Sequence, residues 1–294
     1  MIKRIKRLLS QRRYNIGFIE GEYSIFQNTY PEIKWMNLNG YRKGWFADPF
    51  IFSVNDDYIT VLVEEYLYAT RLGRLAKITV SRKDYRLLKV DVILDLPTHL
   101  SFPIYLEEKG KIYVYPENYQ GGSLKIYEYD IVNNKLINPI KIIDEPLLDT
   151  QILKSNNHYY AFGVVYRTGT QDDTKILKIY KSDNLFYGWS HIQTIENQRC
   201  EERGAGMIYL EEAKLLRPTQ DCEGDYGRAV IIKQISNTSN GNFLEKEIKR
   251  IQPDNKSQYK FGLHTLHSAM GMTVVDGNGY RHALARLIKK LQRR

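Results

Sequence analysis

The sequence predicts an all-β fold, a five-bladed β-propeller with short basic helical tails at both termini, and three observations carry that expectation. Hydrophobic residues make up 43% of the 294 residues, with 23 tyrosines, too apolar for a disordered chain and rich in the residue types that fill strands. A strand-turn-strand pattern recurs five times along the chain, at steps of 48 to 61 residues. Each recurrence opens on a polar residue in an otherwise apolar strand context.

The first unit runs through Ala47-Asp48-Pro49-Phe50, the turn Asn55-Asp56-Asp57, and the strands Tyr58 to Glu65 and Gly73 to Ser81. Ser101-Phe102-Pro103 opens the second unit, which continues through Lys111 to Glu117 and Ser123 to Tyr129. The third opens at Asp149-Thr150-Gln151 and includes His158 to Gly163 and Lys175 to Lys181. Arg203-Gly204-Ala205-Gly206 heads the fourth, followed by Lys214 to Gln220 and Ala229 to Ile235, and a shorter fifth unit surrounds His264 to Ser268. Short apolar runs punctuated by Gly, Asn and Asp are the composition of propeller blades. The segment from Tyr23 to Trp35 is expected to complete the last blade, and ring closure removes most exposed strand edges.

The charge of +9 is concentrated at the ends. Residues 1–13 and 281–294 carry six basic side chains each and no acid, leaving 31 basic against 34 acidic residues in the body, a balance of −3 that argues against nucleic acid as a partner. Ile2, Ile5, Leu8 and Leu9, and Leu284, Leu287, Ile288 and Leu291, fall at helical spacing. The expected organisation is therefore a basic amphipathic segment over 1–20, a propeller over 21–280 and a basic amphipathic helix over 281–294. Such tails suit an anionic membrane surface or a lipid-linked acceptor; the alternative is a pair of solvated or docked helices. No apolar run reaches the length of a membrane span and no secretory leader is recognisable, so a cytoplasmic location, peripheral at the inner face of the membrane, is expected.

Cys200 and Cys222 make no disulfide framework, no His-x-x-x-His or paired-cysteine spacing is present, and His264 and His267 fall on opposite faces of a strand, so neither metal nor other cofactor is expected. The opening residues Asp48, Ser101, Asp149, Arg203 and His264 are expected to converge at one end of the central axis. A second ring comes from strand ends: Glu64 and Glu65, Glu117, and Arg217 with Gln220. Singly, each has a bland explanation, such as a turn or a solvated strand end. Gathered in a funnel, Asp48 and Asp149 supply the carboxylate pair that glycosyl transfer needs. Arg203, Arg217 and Gln220 offer hydrogen bonds to hydroxyls or to the phosphate of a nucleotide-sugar, and Trp45 offers an apolar face to a sugar ring.

Taken together, Trp45 to Phe50, Glu64-Glu65, His99 to Pro103, Tyr115 to Glu117, Arg203 to Gly206, Leu216 to Asp221 and His264-Thr265 resemble a domain named for the N-terminal part of plant glucosamine inositolphosphorylceramide transferase. The resemblance covers roughly residues 40–270, and similar bacterial domains occur near surface-polysaccharide genes. More distantly, the Ala-Asp-Pro element is similar to five-bladed glycoside hydrolases of family 43. That likeness implies Asp48 as general base and Asp149 as the carboxylate that orients or tunes the acid. Those hydrolases take their acid from a fourth-blade glutamate, where this chain has Arg203, with Glu202 one residue earlier and expected to face away; Glu117 or Glu65 is left for that role. His99, Ser101, Arg203, Arg217, Gln220 and His264 are the expected sugar-binding residues beside Trp45. The resemblance implies an enzyme that transfers a glycosyl group in assembly of a surface polysaccharide or glycolipid. A glycoside hydrolase and a non-catalytic sugar-binding propeller are the alternatives.

Overall fold

The computed structural model describes residues 10–22, 31–166, 175–196, 202–237 and 241–282. Its strands, in chain order, are β1 (Ser10–Glu20), β2 (Lys34–Trp35), β3 (Gly44–Val54), β4 (Tyr58–Leu67), β5 (Gly73–Ser81), β6 (Leu87–Leu94), β7 (Tyr105–Glu108), β8 (Lys111–Val114), β9 (Leu124–Asp130) and β10 (Lys135–Ile143). The second half continues with β11 (Leu148–Ser155), β12 (His158–Tyr166), β13 (Lys175–Ser182), β14 (Ser190–Ile195), β15 (Tyr209–Glu211), β16 (Lys214–Asp221), β17 (Ala229–Asn237), β18 (Phe243–Ile251), β19 (Leu266–Ala269) and β20 (Met272–His282). They form five four-stranded antiparallel sheets, β3 to β6, β7 to β10, β11 to β14, β15 to β18, and a last sheet ordered β19-β20-β1-β2. The expected five-bladed ring is present, with four strands in every blade.

Local turn chemistry explains the hairpins. In four blades the first two strands are joined by two residues at positive φ: Lys109-Gly110, Asn156-Asn157, Glu212-Ala213 and Met270-Gly271. Two consecutive positive φ values mark the turn whose twist matches that of paired strands. In the first blade the Asn55 side chain instead accepts hydrogen bonds from the Asp57 and Tyr58 amides at 3.0 and 2.7 Å, an Asx turn.

Both faces of each inner sheet are buried between blades, so strand parity sorts side chains into different cores. On β4, Ile59, Val61 and Val63 pack with Ile16 and Phe18 of the last blade, while Leu62 packs with Phe102 and Tyr115 of the second. Leu148, Phe162, Ile235 and Phe243 join the third and fourth blades, and Ala205, Val230, Leu266 and Val275 join the fourth and fifth.

The expected helical tails are not borne out where the structure describes them. Residues 10–20 are strand β1, which pairs with β20 from Ser10↔His282 to Glu20↔Met272 and closes the ring. The alternation Tyr14, Ile16, Phe18, all buried, governs this segment; the helical stripe of Ile2 to Leu9 stops short of it. Arg281 and His282 finish β20, so the propeller spans 10–282 rather than 21–280. Residues 1–9 and 283–294 lie outside the described residues. Most of the segment expected to complete the last blade, residues 23–30, also lies outside them, and Lys34–Trp35 is that blade's outer strand.

Candidate active site at the blade openings

Asp48 and Asp149 reach the axis through the same local device. Pairing of β3 with β4 skips between Ala47 and Phe50, and pairing of β11 with β12 skips between Leu148 and Gln151. Each bulge places the aspartate at positive φ, 50° for Asp48 and 40° for Asp149, a backbone region costly for a non-glycine residue and frequent at functional sites. The carboxylates are thereby held at the axis rather than along the strand.

The ladder corrects the expected equivalence of the opening residues. Ala47 pairs with Glu64, Ser101 with Glu117 and Gly204 with Thr219. Ser101 therefore corresponds to Ala47, and the residue matching Asp48 in blade two is Phe102, at φ 49° and again followed by proline. Arg203 lies one residue ahead of its blade's equivalent rung. Glu64 and Glu117 occupy the same rung of neighbouring blades.

Around Asp48, the Phe102 amide donates to Oδ2 at 3.1 Å and the Thr265 hydroxyl to Oδ1 at 2.6 Å. Its own amide donates to Asp276 Oδ2, and Asp276 also accepts from the His264 and Thr265 amides. His264 Nδ1 lies 2.5 Å from Asp276 Oδ2 and 3.9 Å from Asp48 Oδ1. Burial raises the Asp48 carboxyl to about 6; the His264 charge and the Thr265 bond oppose the rise, while Asp276 and Asp149 add to it. Burial works against a charged His264, but the charge and hydrogen bond of Asp276 outweigh it and hold the imidazolium above its ordinary range. Tyr14 stacks on His264 at 4.7 Å and Tyr226 meets its ring edge-on at 5.4 Å.

Across the axis, Arg203 Nε donates to Asp149 Oδ2 at 2.5 Å and Nη2 to Glu117 Oε2 at 2.8 Å. Gln220 Nε2 donates to Asp149 Oδ2 at 2.8 Å and to the Gly204 carbonyl at 2.9 Å. Burial would raise Asp149, but the Arg203 charge and bond hold it below the ordinary carboxylate range. Glu117 moves well above its range because burial and the Asp149 charge outweigh the pull of Arg203. The two acids thus share one arginine, with the negative charge on Asp149 and the proton on Glu117.

Two expected residues do not join this site. Glu65 follows Glu64 on β4 and so faces the other way, where Arg74 Nε donates to it at 2.9 Å and the Tyr41 hydroxyl also donates. Arg217 is fully buried on the far face of β16, bidentate to Glu245 at 2.5 and 3.0 Å and donating to Gln151 Oε1 and the Glu202 carbonyl at 3.0 Å. Gln220, three residues on, points to the opposite side. Glu202 is buried, and its charge acts on Lys233 of β17. Neither Arg217 nor Glu65 is placed to touch a sugar in the funnel.

Trp45 is half-buried at the rim and stacks on Tyr66 with centroids 4.5 Å apart and planes within 6°. His99 lies 6.5 Å from Tyr66. Its Nδ1 accepts the Gly73 amide at 2.9 Å, placing the ring proton on Nε2, which faces Glu64 Oε1 at 3.5 Å. Burial and the Arg203 charge lower its pKa, so the ring is neutral. Ser101 is buried beside Glu117 through paired backbone bonds.

Sequence reading puts Glu64 and Glu65 together in the second ring and takes Glu65 as a candidate acid, whereas Glu64 is the one that faces the funnel; it misses Asp276, Thr265, Tyr226 and Tyr14 as partners there. Asp276 carried a signal, an acid closing the apolar run Val274-Val275. Asp48, His264 and Asp276 bring donor atoms within 4.8 Å of one another, a grouping their spacing in the chain concealed. Each is already committed to the hydrogen bonds above, and a cation there would displace the His264–Asp276 contact.

These features define a class: a five-bladed propeller with a buried carboxylate cluster at its axis. Residues 33–277 match the family described as glucosamine inositolphosphorylceramide transferase 1, N-terminal, and the chain belongs to that family. It is 26% identical over 255 residues to glucosamine inositolphosphorylceramide transferase 1 of Arabidopsis thaliana, covering 82% of this chain and 33% of that protein. It is 24% identical over 210 residues to the protein of the same name from Oryza sativa subsp. japonica, covering 70% and 28%. The chain thus spans about a third of the length of these relatives. Solved structures share the fold: a β-xylosidase at TM-score 0.56 and 11% identity, covering 80% of this chain and 84% of the other. A family 43 β-xylosidase/α-arabinofuranosidase from a compost metagenome, in complex with xylotriose, gives TM-score 0.53 at 12% identity, covering 80% and 83%. The α-L-arabinanase of Cellvibrio cellulosa with arabinohexaose gives 0.52 at 13%, covering 70% and 78%.

Proposed function

We propose that this chain is a glycosyl-transferring enzyme acting in assembly of a surface polysaccharide or glycolipid, with Asp48 as the base that takes the acceptor hydroxyl's proton. The observation that carries the reading is the Asp48 carboxylate itself. It is fixed by a strained bulge and two hydrogen bonds, and poised to be ionised at neutral pH yet basic enough to accept a proton. Asp149, kept ionised by Arg203 and Gln220, stabilises positive charge developing on the sugar. Trp45 and Tyr66 supply an apolar wall for a ring.

Membership of a family whose named relatives are transferases favours transfer, and those names support a glycolipid acceptor. The charge of the funnel argues for an uncharged donor sugar over a nucleotide-sugar. Even with Glu64 and Glu117 held neutral by burial, Asp48, Asp149 and Asp276 outnumber Arg203 and His264 there, Arg203 is already shared by two acids, and Arg217 lies elsewhere. Glycoside hydrolysis is the second reading, favoured by Asp48 and Asp149 occupying blades one and three of the fold shared with xylosidases and arabinanases.

Incubation with a panel of glycosyl donors and lipid-linked acceptors is expected to yield an enlarged acceptor, and release of free sugar alone would favour hydrolysis. Asp48→Asn is expected to abolish turnover while leaving sugar binding intact; undiminished turnover overturns the role of Asp48. Sugar binding without turnover on any panel would leave a binding module. A cytoplasmic position at the inner membrane face is part of the proposal, supported by the basic residues of 1–9 and 283–294. Unchanged binding to anionic liposomes after deleting both segments would overturn it.

A further inference from the structure

Transfer from a glycoside needs a proton for the departing oxygen, and blade four presents an arginine where an acid is wanted. Among the funnel carboxyls described, Asp276 accepts three backbone amides and faces His264. Asp149 accepts from Arg203 and Gln220, Glu117 is held by Arg203, and Asp48 is the base. Glu64 stands apart. It is 4% exposed, close to the 5% of Asp48, and its Oε1 is buried with no hydrogen-bond partner. A buried carboxylate without a partner is costly, and a buried carboxylic acid far less so.

The surroundings of Glu64 favour the acid from every side. Burial first, then Asp48 of blade one, Glu117 of blade two, Asp276 of blade five and Asp149 of blade three, all disfavour ionising Glu64, and together they push its carboxyl well above the ordinary range. The neutral His99 Nε2 faces Oε1 at 3.5 Å, beyond hydrogen-bond length. Gly73 keeps the room: a Cβ there would lie 2.5 Å from Glu64 Oε1 and 2.9 Å from its Cγ, and its amide fixes the His99 tautomer.

We infer that Glu64 is the proton donor of the proposed transfer reaction and that His99 is a positioning residue aimed at the oxygen that becomes negative when the proton leaves. The inference rests on the transfer reading above. As the bond from the anomeric carbon to the leaving oxygen breaks, its electron pair stays on that oxygen, which takes the Glu64 proton. The acceptor oxygen bonds to the anomeric carbon and gives its proton to Asp48. One proton is donated and one accepted, and solvent exchange returns Asp48 and Glu64 to their starting states. The His99 N–H closes on Oε1 as charge develops there.

Two measurements decide it. In the infrared difference between wild type and Glu64→Gln at pH 7, a protonated-carboxyl band present only in wild type is expected; its absence overturns the inference whatever the activity. His99→Phe removes the donor facing the carboxylate, so that band should persist to higher pH than in wild type, and an unmoved titration removes His99 from the role. In turnover, Glu64→Gln should lose about 100-fold or more with alkyl glycoside donors and far less with nitrophenyl donors, which leave without a proton. Asp48→Asn should lose both. Equal loss on both donor types, or no loss, in Glu64→Gln overturns the donor role. Full turnover by Asp48→Asn would instead count against the transfer reading, and the infrared band would still settle the state of Glu64.

Discussion

Replacing Arg203 by leucine tests the electrostatic design of the funnel, because one guanidinium holds two buried acids. It donates to Asp149 at 2.5 Å and to Glu117 at 2.8 Å, and its side chain is 12% exposed against 2% and 9% for theirs. Hydrogen bonds to charged groups contribute about 1.5–3 kcal/mol each, and stripping one partner from a buried pair costs about 3–5 kcal/mol. Gln220 still donates to Asp149 and Glu117 already carries a proton, so the lower half of that range, about 3–4 kcal/mol, is expected for Arg203→Leu at pH 7. In a propeller of this size that amounts to roughly 5–7 °C in Tm. Urea unfolding across pH separates charge from packing. Asp149 is held below its ordinary pKa in the folded state, so its pairing stabilises above the unfolded carboxylate pKa, about 3.9, and that contribution is lost as pH falls through its folded value. The deficit of the variant should therefore narrow in acid. Adding Asp149→Asn should recover part of the loss at pH 7. A deficit under about 1 kcal/mol, or one independent of pH, would refute the idea that Arg203 neutralises the pair.

Further outcomes follow from the same geometry. Turnover should fall on the acid side with a midpoint near the Asp48 value of about 6, since protonation removes the base, and a pH–rate profile flat down to pH 4 would contradict that. Arg217→Met should destabilise by about 3–5 kcal/mol in denaturant yet leave sugar affinity unchanged by isothermal titration, because Arg217 serves Glu245 and not the funnel. Gly206 sits at φ 152°, and a Cβ there would lie 2.1 Å from the Leu266 carbonyl oxygen; Gly206→Ala should separate blades four and five and give little soluble protein, and a fully stable variant would mean that the inner strands can move apart.

The repeat made the fold legible because each blade writes the same turns and alternations into the chain. Asp48, Asp149, Glu117, Arg203, Gln220 and His264 were legible as a cluster for the same reason, since closure leaves one place for equivalent positions to meet. What failed was parity. Glu65 is one residue from Glu64, and in a strand one residue exchanges the axis for the neighbouring blade. Arg217 and Gln220 are three apart and so face opposite ways, which sent the arginine to Glu245. Ser101 reads as the counterpart of Asp48 because each is the polar residue that opens its unit, yet Asp48 adjoins its proline and Ser101 stands two residues before one; the ladder pairs Ser101 with Glu117 as it pairs Ala47 with Glu64. The amphipathic reading of residues 10–20 failed because pairing with β20 satisfies a whole strand's backbone, an option invisible to local periodicity. Tyr226 comes from a loop with no periodic signal at all.

Closure by β1 against β20 also sets the order in which chemistry becomes available during synthesis. Besides the Phe102 amide, the groups that bind Asp48 come from Thr265 and Asp276, 217 and 228 residues downstream. A nascent chain can complete four blades and still hold an open cleft with Asp48 exposed to water. Such long-range pairing is slow to form. The cluster is therefore complete only once β19 and β20 have been made and the last hairpin of the ring returns to the strand made first, and a chain stopped short of β19 would be mostly folded with its carboxylate cluster unassembled.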